Sequence, residues 1–150
     1  RPAFNWRGRR PRPTLAHALA YREAISRPFA HLTWKSHDWD GVLESDSGVE
    51  WEFKELVSGE ALFLEGQALK HCVSMYARRC AEGSSAIVSM RMVGEPQITI
   101  EIHPATRLIV QAQGRMNRPA THEERLLMDR WRQSVVIRSI RRSESGEAAD

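Results

Sequence analysis

The sequence predicts an α+β fold: a small antiparallel sheet of about four strands, packed against a central helix over about 67–82 and a C-terminal helix over about 121–140, with an extra N-terminal helix. Alternating or continuous apolar runs mark four strands between residues 49 and 113. Short turns join the last three of them, which favours antiparallel pairing. Apolar residues recur at helical spacing in the two helical segments. The 150 residues suit one domain.

The N-terminal third divides into two predicted segments. Residues 1–13 contain five arginines, three prolines and no acidic residue, which predicts a basic extended arm. Residues 14–48 are predicted to form a helix over about 15–26 followed by an irregular segment. Turns are expected in this segment at Asp40-Gly41 and Ser47-Gly48.

The domain proper is predicted to span residues 49–140, and it begins with a strand. Its apolar positions alternate with charged ones at Val49, Trp51 and Phe53. Ser58-Gly59 is predicted to break the chain before the central helix. That helix carries one buried stripe, formed by Leu69, Val73, Tyr76 and Cys80.

Three further strands are predicted over 86–93, 97–103 and 107–113. In an antiparallel pair, the apolar triplets of the last two strands must share one face of the sheet. These triplets are Ile98, Ile100 and Ile102, and Leu108, Val110 and Ala112. The opposite face then gathers four polar side chains, which are Thr99, Glu101, Gln111 and Gln113.

A capping box, Thr121 with Glu124, predicts the start of the last helix. Leu127, Trp131 and Val135 form its apolar side. Residues 141–150 are predicted to be a disordered acidic tail.

Charge is unevenly distributed along the chain, although the net charge is only +3. The first 12 residues and the last helix are basic, and this pattern favours contact with a phosphate backbone or, alternatively, a solvated surface. The segment 37–65 has nine acidic residues and Lys54 as its one Lys or Arg. This segment predicts, as a further possibility, a surface for a basic partner protein.

Several classes of protein are disfavoured by the sequence. No run of 18 apolar residues is present, so no membrane association is expected. Cys72 and Cys80 lie about 12 Å apart on one predicted helix, which is too far for a disulfide and suggests a reduced, cytoplasmic protein. The histidines lack metal-ligand spacing and no phosphate-binding glycine motif occurs, so neither metal nor cofactor is expected.

The polar face of the sheet is either a solvated surface or, if the central helix covers it, a site. His71 is predicted in the first helical turn, at the rim of such a site. A metal-independent ribonuclease needs a base, an acid and a cation for the phosphate. Glu101, His71 and Arg115 are the catalytic candidates for these roles.

Two other groups of residues carry weaker expectations. Cys72 near a helix start, with His103 on a later strand, follows the order found in cysteine hydrolases, but the last strand lacks a matching acid. An inert cysteine is therefore favoured. In the loop after the last strand, Gly114 permits a close approach of the backbone. Candidate ligand-binding residues there and beyond it are Asn117, Arg118 and Arg125, with a plain strand-to-helix connection as the alternative.

Together these segments resemble the PcfJ-like proteins of mobile genetic elements. The resemblance covers about residues 49–135. Its motifs are Glu65-Gly66-x-x-Leu69-x-His71-Cys72-Val73-x-x-Tyr76, Thr99-Ile100-Glu101-Ile102 and Gln111-x-Gln113-Gly114-x-x-Asn117-x-Pro119. The matching residues expected to be functional are His71, Cys72, Tyr76, Glu101, Gln111, Gln113 and Asn117.

The resemblance implies an association with conjugative elements, plasmids or phages, in which the founding member is an accessory factor of DNA transfer. It implies two kinds of partner, nucleic acid and the proteins of a DNA-transfer complex. It supplies no reaction. The expected function is a nucleic-acid-associated accessory domain, with a metal-independent nuclease and a protein-interaction module as alternatives. The oligomeric state is not predicted.

Overall fold

The computed structural model describes residues 27–144, together with Ala20 and Gly146. The predicted arm over 1–13 lies outside the described residues, as does the predicted N-terminal helix over 15–26 apart from Ala20. Half of the predicted acidic tail, residues 145 and 147–150, is outside them as well.

The described residues form an α+β domain, as predicted, with five strands and three α-helices. A 3-10 turn at Arg27–Phe29 precedes them, and two more 3-10 segments lie within the domain at Val73–Tyr76 and Arg115–Asn117. In chain order the elements are β1 (Gly41–Glu44), β2 (Glu50–Leu56), α1 (Gly59–Leu69), α2 (Ala77–Ala81), β3 (Ala86–Met92), β4 (Glu95–Ile102), β5 (Ile109–Gly114) and α3 (His122–Glu144).

The five strands form one sheet in the order β1-β2-β3-β4-β5, and every neighbouring pair is antiparallel. The prediction of about four strands was therefore one short, because β1 had been assigned to an irregular segment. The strand has only four residues, of which Val42 is exposed, so its alternation is too brief to detect. The predicted turn at Ser47-Gly48 does close the hairpin, with Gly48 at a φ of 81°.

The central helix was predicted in the wrong place. Helix α1 begins at Gly59, where Ser58 caps it by accepting a 3.0 Å hydrogen bond from the Ala61 N–H. It ends at Lys70, which adopts the left-handed conformation. Ser58-Gly59 is therefore a helix start and not a break. Glycine is needed there because an added Cβ would lie 2.0 Å from the carbonyl oxygen of Phe29.

Most residues of the predicted apolar stripe are buried, but they lie in three separate elements and not in one continuous helix. Leu69, Val73 and Cys80 are buried, and they belong to α1, to the 3-10 segment Val73–Tyr76 and to α2 respectively. Cys72 and Cys80 are both free, in agreement with the prediction that they do not form a disulfide.

The pairing of β4 with β5 confirms half of the predicted face assignment. Thr99 lies opposite Gln113, and Glu101 lies opposite Gln111. A bulge between Glu101 and Ile102 then shifts the register. The prediction that Leu108 and Val110 face the core is wrong, because the bulge reverses the parity beyond it and leaves them 53% and 58% exposed. Ile109 packs against the core instead.

Helix α3 confirms the predicted capping box. Glu124 N–H donates to the Thr121 hydroxyl at 3.2 Å, and a Glu124 carboxylate oxygen accepts from the Thr121 N–H at 2.8 Å. Leu127, Trp131 and Val135 are buried as predicted. The helix continues to Glu144, so residues 141–144 are helical and not part of a disordered tail.

The basic run of α3 is partly engaged within the chain. Arg130 donates to the carbonyl of Glu44 at 3.1 Å, and Arg138 donates to the carbonyl of Asp40 at 3.1 Å. Arg142 pairs with the Asp38 carboxylate at 2.8 Å. These arginines hold the β1 hairpin and the loop before it against α3.

Helices cover both faces of the sheet. One face packs against α3 through a large apolar cluster in which Phe53 and Trp131 stack with ring centroids 4.9 Å apart. The other face packs against α1 and α2 through a smaller cluster that includes Leu56, Leu62 and Ile87. The polar side chains of β3, β4 and β5 lie on this second face.

Candidate functional site

The polar face of the sheet is covered and is not a solvated surface. Glu65 of α1, His71, Ser89, Thr99 and Glu101 are each no more than 6% exposed. A buried polar side chain costs free energy unless it is hydrogen-bonded, so such a group at the centre of a small domain calls for a reason beyond packing. The alternative of a binding or catalytic face is thus favoured over a solvated one.

The chain reversal after α1 directs His71 towards the sheet. Lys70 adopts a φ of 54°, and the His71 N–H then donates to the carbonyl of Gly66 at 3.1 Å. An added Cβ on Gly66 would lie 2.8 Å from the carbonyl oxygen of His71, so glycine allows this close approach. His71 therefore follows the C-terminus of α1, and its prediction in a first helical turn is wrong.

Glu65 is the centre of a buried hydrogen-bond network. One carboxylate oxygen accepts from the Thr99 hydroxyl at 2.8 Å, and the other accepts from the Ser89 hydroxyl at 2.9 Å. Ser89 in turn accepts from Nε of Arg91 at 3.0 Å, and an Arg91 Nη lies 3.8 Å from Glu65. Helix α1 is thereby linked to β3 and β4 through polar contacts.

This network determines which nitrogen of His71 carries a proton. His71 Nε2 lies 2.8 Å from the Thr99 hydroxyl oxygen. A hydroxyl has one proton, and Thr99 donates it to Glu65. When Glu65 is ionised, His71 Nε2 therefore donates to Thr99, and Nδ1 of the neutral ring holds the lone pair.

The environment of Glu65 opposes its ionisation. Burial raises the pKa of Glu65, and the hydrogen bonds from Thr99 and Ser89 and the charge of Arg91 offset that effect only in part. A second buried carboxylate, Glu124, behaves oppositely. Burial acts to raise its pKa, but the hydrogen bonds from Arg118 and Thr121 outweigh burial and hold the pKa below its usual value.

A second polar network joins β4, β5 and the 3-10 segment Val73–Tyr76. The Gln111 side-chain amide donates to a Glu101 oxygen at 2.8 Å and to the Tyr76 hydroxyl at 2.7 Å. The other Glu101 oxygen accepts from Ser85 at 3.1 Å and lies 3.5 Å from an Arg79 Nη. Tyr76 was predicted to point into the core, but it is half-buried with its hydroxyl in this polar network.

The two networks border one cavity of about 160 Å³. Most of the residues predicted to be functional line it, although they come from five separate elements and loops. The lining residues are His71, Cys72, Val73, Tyr76, Ile87, Thr99, Glu101, Gln111, Gln113 and Asn117.

Four of the predicted site residues do not line the cavity. Arg115 is exposed in the 3-10 turn between Gln113 and Asn117. Arg118 forms a bidentate pair with Glu124 at 2.8 and 3.0 Å. Arg125 donates to the carbonyl of Ala120 at 2.6 Å. Gly114 is required by packing, since an added Cβ would lie 2.7 Å from the Arg118 side chain.

The structure does not bring Cys72 and His103 together as a cysteine hydrolase would require. Cys72 is exposed and lines the cavity, but His103 is absent from the lining and accepts a 3.3 Å hydrogen bond from the Thr106 N–H in the turn after β4. Burial raises the pKa of Cys80 to about 12, which keeps that thiol protonated and unreactive.

Among the residues that the structure describes, no group of three or more His, Cys, Asp or Glu side chains is arranged to hold a metal ion. No helix within the same residues is long and apolar enough to cross a membrane.

Four polar residues of the site were missed from the sequence as functional candidates: Glu65, Arg79, Ser85 and Ser89. Glu65 had a detectable signal, because it falls on the same face of α1 as Leu62 and Leu69 once the helix is started at Gly59. Arg79, Ser85 and Ser89 had no such signal in the sequence, since serines and arginines are common near the ends of strands and helices.

Comparison with protein families matches the chain to the family described as PcfJ-like protein over residues 35–127. The match extends upstream of the segment 49–135 that carries the sequence resemblance, and so includes β1. No curated protein and no solved structure matches the chain. Since the match covers more than half of the 150 residues, the chain belongs to the PcfJ-like protein family.

Proposed function

We propose that this chain is a nucleic-acid-associated accessory domain of a mobile genetic element, and that the cavity beside Glu101 is where it engages its ligand. The single observation that carries the proposal is the combination of this polar cavity with exposed arginines beside it. Arg79 reaches to 3.5 Å from Glu101, and its neighbour Arg78 is exposed as well.

Arg115 adds a second cation next to the lining residues in the chain. It lies in the chain between two lining residues, Gln113 and Asn117, and within residues 27–144 it has no side-chain hydrogen bond or ion pair. Arginine binds phosphate well because its planar guanidinium presents several donors at once. Phosphates of a strand held by these arginines lie next to the cavity, so the rest of a nucleotide is within reach of it.

Salt dependence of binding tests this proposal. Fluorescence anisotropy with labelled single-stranded RNA and DNA is expected to show binding that weakens steeply from about 50 to 200 mM salt, since phosphate contacts release counterions. The double substitution Arg79→Ala with Arg115→Ala is expected to reduce both the affinity and the salt slope.

A matched control removes the same charge elsewhere. Lys35→Ala with Lys54→Ala lowers the net charge equally at exposed positions absent from the cavity lining. Equal losses in the two double variants would mean that net charge, and not this site, drives binding. Absence of binding at low salt would overturn the proposal.

A metal-independent nuclease is the second candidate, because His71 and Glu101 both line the same cavity. In this mechanism His71 acts as the acid once its ring has taken up a second proton on Nδ1, Glu101 acts as the base and Arg115 holds the phosphate. Glu101 already accepts from Ser85 and Gln111, so it acts as a base after Gln111 exchanges its hydrogen bond for one from the substrate hydroxyl.

Incubation of the pure chain with labelled RNA and DNA, with and without EDTA, tests the second candidate. Cleavage that persists in EDTA and is abolished in Glu101→Gln is the expected result. Cleavage that is unchanged in this variant would exclude Glu101 as the base.

A further inference from the structure

We propose that the cavity binds one unpaired nucleobase of a single-stranded nucleic acid, with the phosphates of the strand lying outside on Arg79 and Arg115. This inference rests on the proposed function, and it adds which part of a nucleotide enters the site. Three properties of the cavity support it: its uncommitted hydrogen-bonding groups, its charge and its aromatic wall.

Primary amides supply most of the uncommitted groups. Within residues 27–144, the side-chain amides of Gln113 and Asn117 have no hydrogen-bond partner, although both residues line the cavity. A primary amide offers a donor next to an acceptor in one plane. This is the pattern through which asparagine and glutamine read the edges of nucleobases.

The second network leaves one donor and one acceptor for the same ligand. Gln111 uses both of its amide protons, on Glu101 and on Tyr76, so its carbonyl oxygen is the group that remains. Because the Tyr76 oxygen already accepts from Gln111, its own proton is available, and no acceptor for it lies among the described residues.

The charge of the cavity disfavours a phosphate inside it. The Glu101 carboxylate lines the cavity, and that of Glu65 lies behind Thr99. An anion placed beside Glu101 would be repelled by its carboxylate and would also lose its water. A neutral heterocycle avoids this repulsion, while Arg79 and Arg115 are exposed where phosphates remain in solvent.

Tyr76 provides an aromatic surface in the lining of the cavity. The Arg79 guanidinium lies 5.1 Å from the centroid of the Tyr76 ring. Stacked arginine and tyrosine side chains are surfaces on which bases stack. A base can reach such a surface only when it is unpaired, since in a duplex its faces and pairing edge are occupied.

Side-chain amide signals in NMR spectra test the inference directly on the unaltered chain. Adenosine and cytidine monophosphate are titrated separately, with ribose 5-phosphate as the control that lacks a base. Shifts of the Gln111, Gln113 and Asn117 amides with a nucleotide, and not with ribose 5-phosphate, are the expected result. Equal shifts with ribose 5-phosphate would overturn it.

Binding of a nucleic-acid strand provides a second test of the inference. A short single-stranded RNA is compared with an equally long strand of abasic ribose phosphates, which carries the same charges. The wild-type chain is expected to bind the base-bearing strand about 5- to 150-fold more tightly, since stacking of one base on an aromatic side chain is typically worth about 1–3 kcal/mol. Gln113→Leu is expected to lose this preference, whereas Gln133→Leu, an exposed position on α3, retains it.

Asn117 requires a different substitution because its φ is 62°. Asn117→Gly keeps this conformation accessible while removing the amide. It is also expected to lose the preference for the base-bearing strand. Circular dichroism and the unfolding midpoint of each variant show whether the fold is retained.

The outcomes separate this inference from the proposed function. Equal binding of both strands would overturn the nucleobase inference and leave the nucleic-acid function standing. Amide shifts with nucleotides but no binding of either strand would support a nucleobase site and overturn the nucleic-acid function. Absence of shifts and of strand binding would overturn both.

Discussion

The two faces of the sheet are buried in different ways. Against α3 the sheet presents a continuous apolar surface that includes Phe53 and Met90, and Trp131 of α3 packs on it. Against α1 and α2 it presents a small apolar cluster beside the buried polar residues Glu65, Thr99 and Glu101. The first arrangement stabilises the fold. The second costs desolvation, and proteins retain such costs mainly at functional sites.

The two buried carboxylates sharpen this difference. Glu124, near the start of α3, is held by the Arg118 guanidinium and by the capping box, an arrangement that favours its ionised form. Glu65 is held by two hydroxyl groups beneath the cavity, with Arg91 at 3.8 Å, and its ionised form is disfavoured. On the polar face the surroundings of Glu65 thus favour a protonated carboxyl group. On the α3 side the surroundings of Glu124 favour an ionised one.

The largest expected effect is a loss of stability on the apolar face. Trp131→Ala is expected to lower the free energy of unfolding by about 3–5 kcal/mol, because it removes a fully buried ring and its stacking on Phe53. Urea denaturation followed by fluorescence measures it. A loss below about 1 kcal/mol would mean that the α3 face does not carry the stability of the domain.

A smaller loss, with a change in protonation, is expected on the polar face. Thr99→Val keeps the side-chain shape but removes the hydroxyl between His71 and Glu65, and should cost about 1–3 kcal/mol. In ¹⁵N NMR spectra the wild-type His71 is expected to carry its proton on Nε2, and the variant to show a mixture of tautomers. A proton on Nδ1 in the neutral wild-type ring would contradict the direction of this hydrogen-bond chain.

Opposite pH dependences are expected for the two carboxylates. The raised pKa of Glu65 means that its favourable contribution is complete below its usual value of 4.5 and is lost as the pH rises through the raised pKa. The lowered pKa of Glu124 means that its contribution is complete above 4.5 and is lost as the pH falls.

Substitution by glutamine makes this difference measurable. As the pH rises from acid to neutral, Glu65→Gln is expected to gain stability relative to the wild type, and Glu124→Gln to lose it. Denaturation curves at a series of pH values give both trends. Parallel trends in the two variants would show that the two faces do not differ in this way.

The smallest expected effect on stability belongs to a lining residue. Gln113→Leu should change the free energy of unfolding by no more than about 0.5 kcal/mol, because within residues 27–144 its amide has no hydrogen-bond partner to lose. Thermal unfolding measures this change. A loss of several kcal/mol would show that the amide has a structural role.

Local patterns in the sequence were sufficient to predict much of this arrangement. Strand alternation placed Thr99 and Glu101 on one face with Gln111 and Gln113, and the capping box located the start of α3. These features depend on residues close together in the sequence. The sequence could therefore indicate which side chains face the same way, although not that a helix buries them.

The errors arose where distant contacts determine the local structure. Ser58-Gly59 has the composition of a turn, but it starts a helix that Ser58 caps, and the Phe29 carbonyl lies too close to Gly59 for a larger residue. The bulge after Glu101 is set by its partner strand, so the exposure of Val110 could not be predicted from alternation. The burial of Glu65 was not predicted, because the helix that contains it had been placed too late in the sequence.

The central claim is that the polar face under α1 is a ligand site, and Tyr76→Phe tests it most directly. The substitution removes one hydroxyl group, which accepts from Gln111 and borders the cavity. The variant is expected to bind a short single-stranded RNA about tenfold more weakly, while its free energy of unfolding changes by no more than about 1 kcal/mol. Unchanged binding together with a larger loss of stability would contradict the claim and make the network a structural one.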